Sequence, residues 1–352
     1  MALLEQLRGR PPYLADLTQW HSWHKRRGTL PVEWAGLSLA EVSRALGSAP
    51  WLPCRPWRVE QPGIEVVTSE REGERETRVI TGRGELVSRW SLGPDGDWWQ
   101  VAYPATAAEQ LPAALEAIRA RTYVLEPARL EGWRQVAGED GIVALELPRR
   151  PYSDLFHDYL GWSEGLMLLY EQPDLIGEML ELLESKLQAL AEQVAALPGV
   201  VVLAPDNLDG QFTSPRAFQQ HLAASYRRTA DLLHARGKQL WVHVGGPVGR
   251  LVGLLADSGV DAVEGVAGPP QGDLTLAETR KVAGKGLILW GGIPQDALLD
   301  TTDEDGFRAA VAEAVAEARD DPAVILGVAD RVPVDAALPR LRALAELIRQ
   351  AS

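Results

Sequence analysis

The stretch from Lys238 to Pro294 most constrains the fold of this chain. It contains three apolar, strand-like runs, KQLWVHVGG, VDAVEGV and GLILWGGIP, with loop or helix between them. Near-continuous Val, Ile and Leu runs flanked by helices are typical of parallel strands buried on both faces. His243 closes the first run and Glu264 the second. The carboxyl ends of the strands in a (β/α) barrel converge on one face that holds the active site, so the pattern predicts a metal or acid–base site here.

The same alternation extends through the rest of the C-terminal two thirds. Helices are predicted at 107–120, 155–169, 173–197, 215–236, 247–258, 274–283, 304–319 and 335–350, and further strands at 141–147, 200–205 and 323–329. Strands that alternate with helices predict βαβ units and a parallel sheet. With a short first strand in 11–20, seven strands can be read, and we expect a (β/α)8 TIM barrel whose eighth strand is not readable. An open doubly wound sheet is the rival fold, disfavoured because no GxGxxG follows the first strand.

The N-terminal third has a different pattern. SLAEVSRALG predicts a helix that Ser38 caps and Gly47 ends. Residues 56–103 alternate apolar and polar side chains between turn signals, which predicts an antiparallel β-meander with one face in water. We therefore expect one barrel domain over 1–352, with the first strand at 11–20, a helical and β-meander excursion at 21–125, and the remaining βα units at 126–352.

Composition narrows the kind of function. The 352 residues carry a net charge of -14, which argues against nucleic-acid and anionic-membrane partners because phosphate binding needs a basic face. Cys54 is the single cysteine, so an intrachain disulfide and a four-cysteine zinc site are excluded. No run approaches the roughly 20 apolar residues of a membrane span. We expect a soluble, cytoplasmic protein that acts on a small molecule.

Most of the predicted strands end in an ionisable residue, and each of these residues has either a structural or a functional interpretation. His243 is either a core histidine with one backbone hydrogen bond or a ligand, and Glu264 is either half of a structural ion pair or a ligand. The two together would suit Zn²⁺ with an open position, or a base with its orienting carboxylate. The Asp206–Asn207 turn before the helix start at Ser214-Pro215 is ordinary turn chemistry or part of the pocket.

WHSWH, after the first strand, offers aromatic side chains for a pocket, while its i,i+3 histidines are better explained as a helix start than as a metal pair. The predicted catalytic residues are Asp206, His243 and Glu264, with His243 and Glu264 as metal ligands. The predicted substrate-binding residues are Trp20, His21, Asn207, Trp290, Gly292 and Asp330.

From about residue 140 onward the chain resembles the uroporphyrinogen decarboxylase superfamily, which includes corrinoid-dependent and coenzyme M methyltransferases. The matching stretches are SPRAFQQHLAASYRRTADLLHARGKQLWVHVGG, LLADSGVDAVEG, GDLTLAE, GLILWGGIP and ILGVADRVPVDA. The resemblance covers about 200 residues, and the N-terminal third only loosely. It implies a TIM barrel, often in a dimer.

The chain departs from both branches of that family. PPYLADLTQWHSWH lacks the arginines with which the decarboxylases grip substrate carboxylates, and its Asp16 has the opposite charge. The methyltransferases place a zinc-binding His-x-Cys at the end of this strand, where this chain has His243-Val244-Gly245, and their late cysteine falls near Ala329. A metal would need a set of His243, Glu264 and Asp206 or Asp330.

Two classes of function follow from the resemblance. The first is methyl transfer, in which Zn²⁺ activates a small methylated or methoxylated substrate and the methyl group passes to the cobalamin of a corrinoid partner protein. The second is metal-free decarboxylation or related lyase chemistry on a tetrapyrrole-like or aromatic acid, with Arg149, Arg150 and Arg331 as substrate anchors. A barrel that only binds a ligand is the remaining alternative.

Overall fold

The computed structural model describes residues 12–351, and within them the strands fall into three sheets. In chain order the strands are β1 (Trp51–Cys54), β2 (Trp57–Glu60), β3 (Glu65–Arg71), β4 (Glu74–Thr81), β5 (Gly84–Leu92), β6 (Trp98–Ala102), β7 (Thr122–Leu125), β8 (Ile142–Glu146), β9 (Val201–Leu208), β10 (Gln239–Val244), β11 (Ala262–Val266), β12 (Ile288–Ile293) and β13 (Val324–Val328).

Helices fill the intervals between the later strands, as the sequence predicts. In chain order the α-helices are Thr18–Arg27, Leu39–Ala45, Leu111–Ala120, Pro127–Ala137, Pro151–Asp154, Trp162–Glu171, Pro173–Ala195, Pro215–Ala217, Ala223–His234, Val252–Asp257, Leu276–Ala283, Glu304–Ala318 and Leu338–Ala351. Two π-helical segments, Leu155–Leu160 and Phe218–Leu222, continue the short helices before them. None of these helices is long and apolar enough to cross a membrane.

Local capping confirms the predicted helix starts. The Ser38 hydroxyl accepts from the Glu41 amide while the Glu41 carboxylate accepts from the Ser38 amide, which is a capping box. Gly47 follows this helix with φ +74°, a conformation that glycine adopts without strain. At the predicted start at Ser214-Pro215, the Ser214 hydroxyl accepts from the Ala217 amide, with Pro215 in the first turn.

The chain divides into two compact units, of which the first comprises residues up to Arg55, Ala128–Glu146 and Leu197 onward. Its frame is a curled seven-stranded parallel sheet in the order β1-β8-β9-β10-β11-β12-β13. Isolated parallel bridges join residues near its two edges, from Tyr13 to Leu326 and from Leu14 to Ala49. The sheet confirms the parallel α/β architecture.

Two sequence predictions about the strands are corrected. Within the described part of 11–20, only Tyr13 and Leu14 make strand-type bridges, and a helix begins at Thr18. The strand that sequence reading missed is β1, which lies inside the predicted excursion of 21–125 and pairs with β8. WLPC is short and carries a proline, so it gives no strand signal of its own.

Three tryptophans fill the inner face of the parallel sheet. Trp51 stacks on Trp241 with 5.6 Å between ring centroids, and Trp290 meets both rings edge-on. The Trp290 indole N–H donates to the Leu14 carbonyl over 2.9 Å. A Cβ at Gly327 would lie 2.2 Å from that carbonyl oxygen, so only glycine leaves room for this bond. The sheet interior is therefore a packed aromatic and aliphatic core.

The second unit comprises Pro56–Pro127 and Leu147–Ala196. The antiparallel sheet β3-β4-β5-β6 confirms the predicted meander, and β2 pairs separately with β7. Arg121 is nearly buried and forms an ion pair of 2.7 Å with the buried Asp154. The Arg121 guanidinium also donates to the Tyr159 hydroxyl over 2.5 Å.

Candidate functional site

His243 and Glu264 meet at the carboxyl ends of neighbouring strands of the first unit. They are paired positions in the parallel register of β10 and β11. The register slips beside each of them, between Val242 and Val244 towards β9 and between Glu264 and Val266 towards β12. Such bulges redirect side chains and are common beside active sites. His243 Nδ1 and Glu264 Oε2 form a short hydrogen bond, so the two predicted residues are in direct contact.

Asp330 completes a three-residue group. It lies two residues beyond β13, and its Oδ1 is 3.8 Å from His243 Nε2. One ligand atom from each of His243, Glu264 and Asp330 lies within 4.8 Å of the other two. The side chains are 20%, 8% and 26% exposed, respectively, which makes the group accessible but largely desolvated. The sequence predicted Asp330 as a substrate-binding residue and, beside Asp206, as an alternative third metal ligand; the structure brings Asp330, and not Asp206, into the group with His243 and Glu264.

Burial and mutual charge shift the protonation of the pair. Burial lowers the pKa of His243, but the charge and hydrogen bond of Glu264 and the charge of Asp330 outweigh it and raise the pKa to about 9. Burial raises the pKa of Glu264 to about 7 despite the nearby imidazole, and the charges of Asp330 and Asp16 add to the rise. Carboxylates crowded in this way favour a bound cation or a shared proton.

Asp16 and Arg331 supply further charge near this group. Asp16 is buried, and its Oδ1 accepts from the Thr18 amide at 2.9 Å and from the Thr18 hydroxyl at 2.5 Å. Burial raises the pKa of Asp16, while the Arg331 charge opposes the rise. Arg331 Nε lies 3.6 Å from Asp330 Oδ1. Asp16 lies inside the predicted first strand of 11–20, and a charged residue within such an apolar run is a sequence signal that could have marked it as part of the site.

The donor set fits a divalent metal ion. One imidazole and two carboxylates suit Zn²⁺ in a site that keeps a position open for substrate, and also suit harder ions than a thiolate set would. Asp330 Oδ1 is buried and accepts no hydrogen bond, although buried polar atoms are normally satisfied. A metal ligand bond would satisfy it. Across residues 12–351, this is the one group of three His, Cys, Asp or Glu side chains close enough to share an ion.

Asp206 is not part of this group, so its predicted catalytic role has no support from its position. It is fully buried, and its carboxylate accepts a short hydrogen bond from the hydroxyl of Tyr226 in the helix Ala223–His234. This hydrogen bond directs the Asp206 side chain towards the helix and away from the His243 group. Asn207 is exposed at φ +51° and stands over Gly245, where a Cβ would lie 1.8 Å from the Asn207 Oδ1 atom.

Trp290 and Gly292, which were predicted to contact substrate, both lie in closely packed surroundings. Trp290 is 1% exposed and belongs to the aromatic core of the sheet. Gly292 has φ +96°, and a Cβ there would lie 2.6 Å from Cδ1 of Leu276 in the helix Leu276–Ala283. The glycine allows this helix to approach β12 closely.

The WHSWH segment, residues 20–24, forms the middle of the helix Thr18–Arg27. Trp20 is buried and packs against His24 with 4.5 Å between ring centroids. His21 is also buried, its Nε2 lies 3.3 Å from the Leu37 carbonyl oxygen, and burial lowers its pKa. His24 places its two ring nitrogens 2.8 Å from the Thr29 hydroxyl and 2.9 Å from the Val334 carbonyl oxygen. These contacts favour a structural role for the histidines over a metal pair, as preferred from sequence, and they give no support to the predicted substrate contacts of Trp20 and His21.

The three arginines predicted to anchor a substrate belong to different units. Arg331 adjoins the His243 group, whereas Arg149 and Arg150 belong to the second unit, where Arg149 forms an ion pair of 3.1 Å with Asp158. A cavity of about 330 Å³ lies elsewhere in the first unit, at the amino-terminal ends of β8 and β9, and its lining includes Glu131 and Arg134. The lining contains neither histidine nor cysteine. The group of His243, Glu264 and Asp330 lies towards the opposite, carboxyl ends of the strands.

No family model matches the sequence, and no curated protein matches it. Among solved structures, the chain is similar to a methyltransferase from Methanosarcina mazei, at 17% identity with a TM-score of 0.61, covering 99% of this chain and 96% of that one. At this identity the similarity establishes a shared fold. Two sugar epimerases are less similar, each with a TM-score of 0.37. A D-psicose 3-epimerase crystallised in the presence of D-fructose is 13% identical, and the match covers 67% of this chain and 84% of that one. The D-psicose 3-epimerase from Clostridium cellulolyticum H10 with D-tagatose is 12% identical, and the match covers 64% of this chain and 81% of that one. A TM-score this low does not indicate a common fold.

Proposed function

We propose that this chain is an enzyme of the uroporphyrinogen decarboxylase superfamily that transfers a methyl group from a small methylated or methoxylated substrate to a corrinoid protein, assisted by a divalent metal ion. Zinc is the first candidate. The observation that carries the proposal is the convergence of His243, Glu264 and Asp330 within 4.8 Å at the carboxyl ends of strands of one parallel sheet. The fold shared with a solved methyltransferase supports it.

A bound metal would act as a Lewis acid on the substrate atom that carries the methyl group. His243, Glu264 and Asp330 hold the ion, while Arg331 and Asp16 set the charge around them. The two carboxylates of the ligand set balance the two positive charges of the ion when His243 is neutral. The aromatic core beneath His243 gives the site an apolar floor, because Trp241 lies two residues earlier on the same face of β10.

The proposal includes a closed (β/α)8 barrel. The bridges of Tyr13 to Leu326 and of Leu14 to Ala49 support closure, since the short segment at 13–14 then completes the ring between β13 and β1. Closure brings Asp16, just beyond this segment, to the mouth where the strand ends converge. The corrinoid partner protein and a homodimer belong to the proposal through the family resemblance.

Metal-free lyase chemistry is the second candidate, and one contact favours it. The His243 ring has Glu264 at Nδ1 and Asp330 near Nε2, an arrangement that retains an imidazolium as proton donor. Arg331, at 39% side-chain exposure, would hold a substrate carboxylate beside it. A decarboxylase needs a proton donor and an anion anchor of this kind.

Metal content and methyl transfer together test the two candidates. Tag-free protein, purified without added metal or chelator, is analysed by elemental mass spectrometry. It is then incubated with cob(I)alamin and a panel of methoxylated aromatics, methylamines and methyl thioethers. About one zinc per chain and substrate-dependent formation of methylcobalamin support methyl transfer. Protein that neither contains zinc nor takes it up at micromolar concentration contradicts metal-assisted transfer, and release of CO₂ from aromatic or tetrapyrrole acids would then favour the lyase.

A further inference from the structure

Asp330 has a left-handed backbone conformation, which is uncommon for residues other than glycine. Its φ is +64°, in the left-handed region that non-glycine residues seldom occupy. Such a conformation persists when the surrounding structure holds it, and it is concentrated at functional sites. The contacts on either side of Asp330 are therefore informative.

Two glutamine side chains hold the peptide units that flank Asp330. Gln271 Nε2 donates to the Ala329 carbonyl over 3.2 Å, and Gln295 Nε2 donates to the Arg331 carbonyl over 2.6 Å. The glutamines are also joined to each other, because the Gln295 amide N–H donates to Gln271 Oε1 over 3.0 Å. This pattern fixes the orientation of the Gln271 carboxamide, since a flipped group would set its oxygen against a carbonyl oxygen. We call the pair the glutamine clamp.

The clamp ties together the turns that follow three consecutive strands. Gln271 lies after β11, the strand of Glu264, while Gln295 lies just after β12 and Asp330 just after β13. Backbone bonds fasten the same segment further, from the Ala329 amide to the Ile293 carbonyl over 2.8 Å and from the Val332 amide to the Asp16 carbonyl over 2.9 Å.

We infer that Gln271 and Gln295 are positioning residues that place the Asp330 carboxylate beside His243 and Glu264. This inference rests on the proposed function only for the identity of the bound group. Both glutamines act through the backbone of the Asp330 turn, as outer partners that orient a ligand do. Their removal lets Asp330 relax towards negative φ, which swings its carboxylate away from the His243 ring.

Crystal structures of metal-free Gln271→Met and Gln295→Met variants test the placement directly. Methionine keeps the length of the side chain and removes the carboxamide. In both variants we expect the φ of Asp330 to become negative and its carboxylate to lie more than 4.8 Å from the ligand atoms of His243 and Glu264. An unchanged Asp330 in both variants overturns the inference whatever the site binds. Gln350→Met is the matched control, because this glutamine bonds to Glu346 on the exposed face of the last helix. A variant that does not fold is replaced by Gln→Leu at the same position and held to the same criterion.

Metal titration separates this inference from the proposed function. Chelator-treated protein is titrated with Co²⁺, whose visible spectrum reports ligand geometry. Loss of an outer-shell partner typically lowers metal affinity by about 10–100-fold, and we expect this of each clamp variant, with an altered spectrum. The metal affinity of the double variant should be little lower than that of either single variant, because the two side chains act as a unit. If the clamp variants bind Co²⁺ with wild-type affinity while Asp330→Asn binds it more weakly, the inference about the glutamine clamp is wrong and the proposed metal site stands. Absence of Co²⁺ and Zn²⁺ binding in the wild type contradicts the proposed function, and the crystal structures still decide the clamp.

Discussion

His243 and Glu264 occupy paired positions on two adjacent parallel strands, and the imidazole Nδ1 of the first is hydrogen-bonded to the carboxylate of the second. Because this pairing is set by strand register, the contact is a product of the sheet and not of a flexible loop. The third member, Asp330, comes from a turn and needs separate support. These two origins determine what substitutions at the site should do.

Replacing His243 by alanine should abolish metal content and leave the fold intact. The imidazole supplies the nitrogen of the set, and its 20% exposed side chain contributes less packing than a core residue. Elemental mass spectrometry and circular dichroism measure the two outcomes. His221→Ala is the control and should retain the metal. Stoichiometric metal in His243→Ala would show that the assignment of the site is wrong.

The free energy of unfolding of metal-free protein should contain a contribution from this pair that decreases with rising pH. The pKa of Glu264 rises from 4.5 to about 7 on folding, so its contribution is full at low pH and is lost between these values. The pKa of His243 rises from 6.5 to about 9, so its contribution is present below 6.5 and is lost as pH approaches 9. Urea unfolding across this range measures the trend, and Glu264→Gln should flatten its lower part. A difference between wild type and Glu264→Gln that does not vary with pH would contradict the shift.

Zinc affinity should change with pH in the opposite direction. Metal binding needs a neutral imidazole and ionised carboxylates, so protons are released on binding. Calorimetric titration in buffers of different ionisation enthalpy counts these protons. At neutral pH we expect release from the His243–Glu264 pair, and binding without proton release would indicate that the ion lies elsewhere.

Substitutions that affect Asp206 and Asp330 should have opposite effects on stability and on metal affinity. Tyr226→Phe removes a hydrogen bond to the buried Asp206 and should lower the free energy of unfolding by ~1–3 kcal/mol with metal affinity unchanged. Asp330→Asn should leave stability nearly unchanged and lower metal affinity by at least the roughly 10–100-fold typical of an outer-shell partner. Tyr170→Phe, at an 87% exposed tyrosine, controls for the hydroxyl deletion. Reduced metal affinity in Tyr226→Phe would restore Asp206 as a candidate site residue.

In the second unit, Asp154→Ala should destabilise the protein strongly. Removing one partner from a buried ion pair typically costs ~3–5 kcal/mol, because the other charge stays buried, and the Arg121 and Asp154 side chains are only 13% and 7% exposed. Glu178→Ala is the matched control, because Glu178 pairs with Arg119 at the surface, where ion pairs contribute about 0–1 kcal/mol. Equal stabilities for the two variants, measured by urea unfolding, would refute the structural role of the buried pair.

Sequence patterns predicted most of the parallel sheet because each later strand is a long apolar run between clear helices. They also placed His243 and Glu264 correctly at strand ends. β1 was missed because four residues that include Pro53 carry no periodicity. The short segment at 13–14 was overestimated because apolar residues continue into the helix that begins at Thr18.

Side-chain direction was harder to predict than strand position. Asp206 and Trp290 both lie near strand ends, yet one points to a helix and the other into the core. A one-residue change in register reverses the face of a side chain, and the bulges beside His243 and Glu264 are not visible in the sequence. The left-handed conformation of Asp330 depends on contacts from distant turns, so it was equally inaccessible.

The three interlocked indoles beneath the site have a consequence for how such a protein can diversify. Trp51, Trp241 and Trp290 pack against one another by ring contacts, and the indole N–H groups of Trp241 and Trp290 donate to Gln239 Oε1 and to the Leu14 carbonyl. Their packing does not depend on which polar side chains stand above them. Exchange of the polar side chains at the strand ends should therefore leave the packing of the parallel sheet in place, so that the site can change without a change of fold.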